Sequence, residues 1–221
     1  MRRHPAVPYV IPFLLFLAFL GLGQYLPVPE FALQAIWVGV IAAVLWIVAR
    51  PAIDLGVSHP IGTLFIGVGT FLIWVLPDAL FPHYRSSWAF QNAITGTVKS
   101  GLSIAAQSDW ATVALRALRA VAIVPVLEEL FWRGWLMRWL IGPEFEKVPI
   151  GRYQARAFWI TAILFAAEHG PFWDVGLAAG IAFNWWLVRS RRLGDVIWAH
   201  AITNACLCAY VIATHKWEYW M

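Results

Sequence analysis

Charge is what this sequence has least of. Asp, Glu, Lys and Arg make up 13% of its 221 residues, and 61% are apolar. A soluble domain carries about 25% charged and 45–50% apolar residues. That deficit, with a mean hydropathy of +0.68, excludes an ordinary soluble globular domain. Cysteine is nearly missing: Cys206 and Cys208 are the full complement. Two positions apart on a helix, they point to separate sides, so neither a disulfide between them nor a shared metal is expected. Internal repeats, Gly/Ser linkers and low-complexity segments are all lacking. The net charge of +4 does not argue for a nucleic-acid partner, because the basic residues sit in the connections rather than along one helix face.

What is present is tryptophan, fifteen residues of it, and long apolar runs; indole favours the membrane interface. Runs able to span a bilayer, about 20 residues each, occur near 9–28, 31–49, 60–80, 110–140, 156–169, 172–189 and 195–214. The fourth is too long for one simple span, and its first part, Asp109 to Arg119, reads as an interfacial segment. The fifth is short. The first follows Met1-Arg2-Arg3 but lacks a small-residue cleavage site, so it reads as a retained helix rather than a signal peptide. With the N-terminus inside, the inner side receives Arg2, Arg3, Arg50, Arg138, Lys147, Arg152, Arg156, Arg189, Arg191 and Arg192. Arg85, Lys99, Arg116, Arg119 and Lys216 fall outside. This asymmetry favours a cytoplasmic N-terminus. The expected fold is all-α: a polytopic membrane bundle of about seven transmembrane helices forming one domain over 1–221. Within it, residues 1–108 carry the first three helices, a unit that can be peripheral, and a polar connection, about Phe81 to Asp109, that reads as an interfacial helix or a lid.

Ionisable groups inside such runs cost about 2.5–3.5 kcal/mol each and normally face a bundle interior or a watery cavity. Glu128, Glu129 and Arg133 lie in the fourth run, Glu168 and His169 in the fifth, His200 and Asn204 in the seventh. Counted from the inner ends at 1.5 Å per residue, Glu128, His169 and His200 lie about 18, 20 and 12 Å deep, which allows them to meet in one layer. Glu129 and Arg133 are i and i+4 and can pair. Glu128, about 100° away round the helix, is free to act on something else, and a partly dry carboxylate suits a general base. His200 and Asn204, again i and i+4, share a face from which both can donate to a developing oxyanion. His169 can orient the water that Glu128 activates. Each group also has a plainer reading: Glu129 with Arg133 as an interhelical clamp, each histidine as a packing residue, Glu168 as the polar end of its helix. Asp174 and Asp195 read as helix-start residues, and Asn184 as a hydrogen bond to a neighbouring helix.

"EELFWRG" fits EExxxR, "FAAEH" fits FxxxH at Phe165 and His169, and "HAITN" fits HxxxN at His200 and Asn204. In that order, with "AGIAFNWWLVRSRRLGDVIWAH" bridging the last two, they resemble the CPBP family of intramembrane proteases, relatives of the type II CAAX prenyl endopeptidase. The resemblance covers about residues 110–210 and marks 109–214 as a core of the family type. It implies a glutamate-dependent endopeptidase in which Glu128 activates water with His169, His200 and Asn204 stabilise the oxyanion, and Glu129 and Arg133 support them. Phe165 is a packing residue in either reading. The expected partners are the lipid bilayer and a membrane-associated peptide or protein, lipidated or not. The family extends to bacteriocin-processing and exosortase-associated members, and the setting expected is a bacterial inner membrane. No cofactor is expected. Glu128, His169 and His200 could supply three ligands to a catalytic zinc, but HExxH is missing and the zincin arrangement with it. Two other functions compete: a catalytically silent membrane protein that binds a peptide for immunity or as a scaffold, and a proton or metal transporter. The second would lack the repeated halves of many transporters.

Overall fold

In a bilayer core no water satisfies backbone N–H and C=O groups, so apolar runs close their hydrogen bonds internally as helices. The computed structural model describes residues 4–220 and contains seven helical rods: α1 (Val7–Leu22), α2 (Glu30–Ala52), α3 (Pro60–Leu80), α4 (Trp110–Trp139), α5 (Ala155–Ala167), α6 (Trp173–Ser190) and α7 (Leu193–Thr214). Arg2 and Arg3 of the charge count lie outside the described residues. Among the described residues there is no strand, only an isolated bridge between Asn92 and Gly96. The rods α2, α3, α4 and α7 are long and apolar enough to cross a membrane, and α1 and α5 are shorter apolar helices. The chain is an all-α integral membrane protein.

The longest rod departs from the expected break at Arg119. α4 runs continuously for 30 residues, about 45 Å, from an N-cap at Asp109. The Asp109 carboxylate accepts from Ala111 N at 3.2 Å and from the Thr112 hydroxyl at 2.5 Å. Two π turns, Arg119–Ile123 and Leu130–Leu136, interrupt the α geometry. The first has a local cause. Val124 N bonds to Arg119 O, five residues back. The next donor in that pattern would come from Pro125, which has no N–H, so the Ala120 carbonyl is left for another partner. Arg119, expected among the outer charges, is buried at 4% exposure.

α5 stops early because Gly170 turns left-handed (φ 50°) and Pro171 follows; a residue before proline avoids the helical region. Its 13 residues span about 20 Å, short of the roughly 30 Å hydrocarbon layer. His169, just past its end, therefore sits within the depth of the bundle.

α7 packs against α3, α4 and α6, α5 against α6, and α1 and α2 against α4. The first three helices do not act as one peripheral unit, since α3 lies along α7. A Cβ on Gly67 would come within 2.7 Å of Ala199 O and of Ile202 Cβ, and Gly67 O accepts from the Thr203 hydroxyl at 2.8 Å. Such small-residue contacts let helices approach in lipid, where packing rather than hydrophobicity drives association. Gly67→Ala is expected to destabilise by about 1–3 kcal/mol through overpacking. Gly69→Ala, with nothing within 4 Å of its Cβ, should stabilise by roughly 0.5–1 kcal/mol through helix entropy. Thermal unfolding in detergent checks the opposite signs.

Both ends of the bundle are tied. At the end where α3 and α7 begin, Asp195, 0% exposed, accepts from Ser58 N (3.0 Å), His59 N (3.1 Å) and the Thr63 hydroxyl (3.2 Å), so a first-turn residue of α7 also caps α3. At the opposite end Arg85 donates to Asp78 at 2.8 Å, and to Asp174 and Pro171 O at 2.8 Å each. This pins the 81–109 connection over the α5–α6 turn. That connection is mostly irregular; its longest helix is Ile104–Gln107, so the amphipathic interfacial helix expected as one alternative is not formed.

Candidate active site

Glu128, His169, His200 and Asn204 arrive from α4, the end of α5 and α7, and all four border one cavity of about 270 Å³. Glu129 and Arg133 do not border it. They lie behind its wall, each 0% exposed, which is the separation that 100° of helix rotation demands.

The wall is a buried polar network in which one atom, Glu129 Oε2, has no hydrogen-bond partner. Arg133 Nη1 donates to Glu129 Oε1 at 3.2 Å, Nε to Asn184 Oδ1 at 2.8 Å and Nη2 to Gly180 O at 3.3 Å. Asn184 donates on to Phe158 O at 2.8 Å, tying α4, α5 and α6 together. Glu129 Oε1 also lies 2.8 Å from His200 Nδ1. A carboxylate oxygen only accepts, so Nδ1 carries the proton and Nε2 faces the other way. It faces Glu128, whose Oε2 is 4.0 Å from Nε2. That Oε2 is buried and has no hydrogen-bond partner, the state of a carboxylate held ready for a group not of this chain.

His169 is oriented in the same way. Its Nδ1 lies 2.7 Å from Phe165 O, so Nδ1 donates and Nε2 is the acceptor. Phe165 lies between the two imidazoles, its ring 4.7 Å from that of His169 and 6.1 Å from that of His200. It also lies 4.5 Å from the Arg133 guanidinium. Asn204 Nδ2 donates to Ala120 O at 2.8 Å, the carbonyl that Pro125 leaves open. One amide proton of Asn204 is thereby used and the other remains.

Several residues read plainly in the sequence take larger places here. Glu168 borders the cavity and accepts from Trp132 Nε1 at 3.2 Å. Asn184 bonds a neighbouring helix as expected and also holds Arg133. Asp174 and Asp195 sit in first turns but serve other segments, through Arg85 and the α3 start. Arg119 borders the cavity, with no sequence signal beyond a charge in an apolar run. The two cysteines are free.

The donor set for a zinc does not fit. Among the described residues no three His, Cys, Asp or Glu side chains converge closely enough to hold a metal ion.

Residues 109–206 match the family model described as "Type II CAAX prenyl endopeptidase Rce1-like". No curated protein matches the chain, and no solved structure does. The matched segment runs from the N-cap of α4 past Asn204 and so contains Glu128, His169, His200 and Asn204; Leu207 and Cys208 of α7, which also border the cavity, lie just beyond it. Residues 109–206, the part of this membrane protein that supplies the cavity's carboxylates and imidazoles, are therefore similar to the Rce1-like type II CAAX prenyl endopeptidases.

Proposed function

We propose that the protein is an intramembrane endopeptidase that hydrolyses a peptide bond with water activated by Glu128. The observation that carries this is the buried, unpartnered Glu128 Oε2 in a cavity shared with two oriented imidazoles and an amide. Water bound between Glu128 Oε2 and His169 Nε2 gives its proton to the carboxylate as its oxygen attacks the scissile carbonyl. The carbonyl becomes an oxyanion, which His200 Nε2–H and the second Asn204 amide proton stabilise. Because Nδ1 donates to Glu129 Oε1, this scheme uses the doubly protonated ring, in which Nε2 also donates. Glu128 then passes its proton to the leaving amine as the C–N bond breaks.

No metal takes part in this scheme. The substrate is a membrane-associated peptide or protein, and the setting a bacterial inner membrane with the N-terminus inside, on the loop charges. The test is mass spectrometry on the full chain in liposomes with a pool of membrane-anchored and prenylated peptides, with and without a chelator. Cleavage by wild type that survives chelation and disappears in Glu128→Gln is expected. Cleavage abolished by chelator would overturn the metal-free scheme. Equal behaviour of both proteins would leave the binding-only role.

A further inference from the structure

A second cavity, of about 230 Å³, lies beside the catalytic one, and Asp78, His83, Ser86, Gln91, Lys216 and Glu218 are among the residues that border it. Among the described residues only Phe172 and Tyr219 border both cavities. These two rings, with centroids 5.3 Å apart, are the partition between a polar space and Glu128. Phe172 is clamped: the Arg85 guanidinium lies 4.1 Å over its ring, and Arg85 also donates to the neighbouring Pro171 O. Tyr219 is held differently. It belongs to a short turn, Trp217–Tyr219, that the chain reaches from α7 through His215 at a left-handed φ of 56°. That conformation is uncommon for a residue with a side chain, and it makes His215 the point where the chain reverses over the bundle. The turn is seated by the Tyr219 hydroxyl, which donates to Asp78 Oδ2 at 3.1 Å, and by Gly101 N, which donates to Trp220 O at 2.6 Å.

Hydrolysis consumes one water for each bond cut and releases an amine and a carboxylate, none of which crosses apolar packing cheaply. That need rests on the endopeptidase reading above. We propose that Tyr219 is a gate: when the 215–220 segment swings away about His215, the polar cavity and the catalytic cavity join into one aqueous route to Glu128. Such an opening is local, so it costs less than unfolding the bundle, and water replaces the bonds that seat the turn.

Cys208 reports on the gate. It is 5% exposed, borders the catalytic cavity and packs in one buried cluster with Tyr219 and Trp220. Cys206→Ala leaves it the single thiol of the chain. The experiment uses that full chain in nanodiscs and a sulfonate-bearing methanethiosulfonate, which is charged and does not enter lipid, with mass spectrometry to follow labelling. The rate tracks the open population when reclosing is faster than reaction. Tyr219→Phe, which keeps the ring and loses the bond to Asp78, should label roughly 2- to 10-fold faster than the parent, the net worth of one hydrogen bond. Tyr219→Ala, which removes the partition, should label roughly 10- to 100-fold faster, as expected for losing a buried aromatic ring. The control is a thiol placed by Ala157→Cys in a chain with Cys206→Ala and Cys208→Ala; position 157 is 0% exposed and borders neither cavity. It should stay unlabelled with and without the Tyr219 substitutions. Equal rates for the parent and both Tyr219 variants overturn the gate. Labelling of the control thiol in step with Cys208 shows a bundle loosened as a whole and overturns it too. If a neutral, lipid-soluble maleimide reaches Cys208 in every variant while the charged reagent reaches it in none, the cavity is entered from lipid and the gate falls. If Tyr219→Ala does not fold, Tyr219→Phe decides alone. None of these results uses turnover, so losing the gate leaves the endopeptidase reading standing, and a protein inactive on every peptide still reports on the gate.

Discussion

Replacement of Glu128 by glutamine is expected to lower turnover by roughly 10³- to 10⁴-fold, the upper range for losing a positioned general base, and to leave the fold as stable as before or more so. Glutamine keeps the shape but accepts no proton, so attack loses its base and the leaving amine its acid. Stability moves the other way because Glu128 is 5% exposed and its Oε2 has no partner. Glutamine there removes no hydrogen bond that Oε2 makes and places no ionisable group in a buried position, where a charge is costly. Turnover and thermal unfolding measured on the same preparation separate the two effects. Activity within tenfold of wild type would remove Glu128 from the chemistry. Loss of both activity and stability would make it a structural residue. Asn204→Ala should cost about 10²–10³ in kcat, the usual worth of one oxyanion donor.

Arg133→Met should have the largest effect on stability, about 3–5 kcal/mol, as expected when one partner of a buried pair is removed. Glu129 would keep only His200 as a partner, and Asn184 Oδ1 and Gly180 O would lose their donors. Against a total stability of about 5–15 kcal/mol, the variant should accumulate poorly and unfold early in detergent. The pair Glu129→Leu with Arg133→Met should recover much of that loss, because well-packed apolar residues often replace a buried ion pair without cost. It should not recover activity, since His200 Nδ1 then has no acceptor to aim Nε2 at the cavity. Thermal unfolding of the single and double variants, with turnover on the double, checks both halves. A double variant as unstable as Arg133→Met would show that the network cannot be replaced by packing. A fully active one would free His200 from Glu129.

The site was partly legible because its shortest relations are intrahelical. Glu129 with Arg133, and His200 with Asn204, are i and i+4 pairs, and their facing follows from 3.6 residues per turn. The split between Glu128 and Glu129 is of the same kind, and the cavity borders Glu128 but not Glu129. Contacts between helices were not legible in this way. That His200 turns Nδ1 to Glu129 depends on how α7 is rotated against α4, and the π turns at Arg119–Ile123 and Leu130–Leu136 alter that rotation. Pro125 was visible in the sequence, but its consequence, a free Ala120 carbonyl for Asn204, needs α7 beside the bulge. Asn184 and Glu168 read as plain polar residues because nothing local names their partners.

By itself, then, the sequence determined the medium and the chemistry on offer: too few charges for water, helices because lipid leaves the backbone no other partner, and a few ionisable groups whose cost in apolar runs marks them. Tertiary structure alone decided which of those groups share a cavity and which lie behind its wall. It carried Arg119 from an expected interfacial segment into the bundle, and it laid α3 along α7 through Gly67. The reason is geometric. Periodicity sets directions within one helix, whereas distances between helices follow from crossing, rotation and the depth at which each rod ends, and α5 ends where Gly170 and Pro171 stop it.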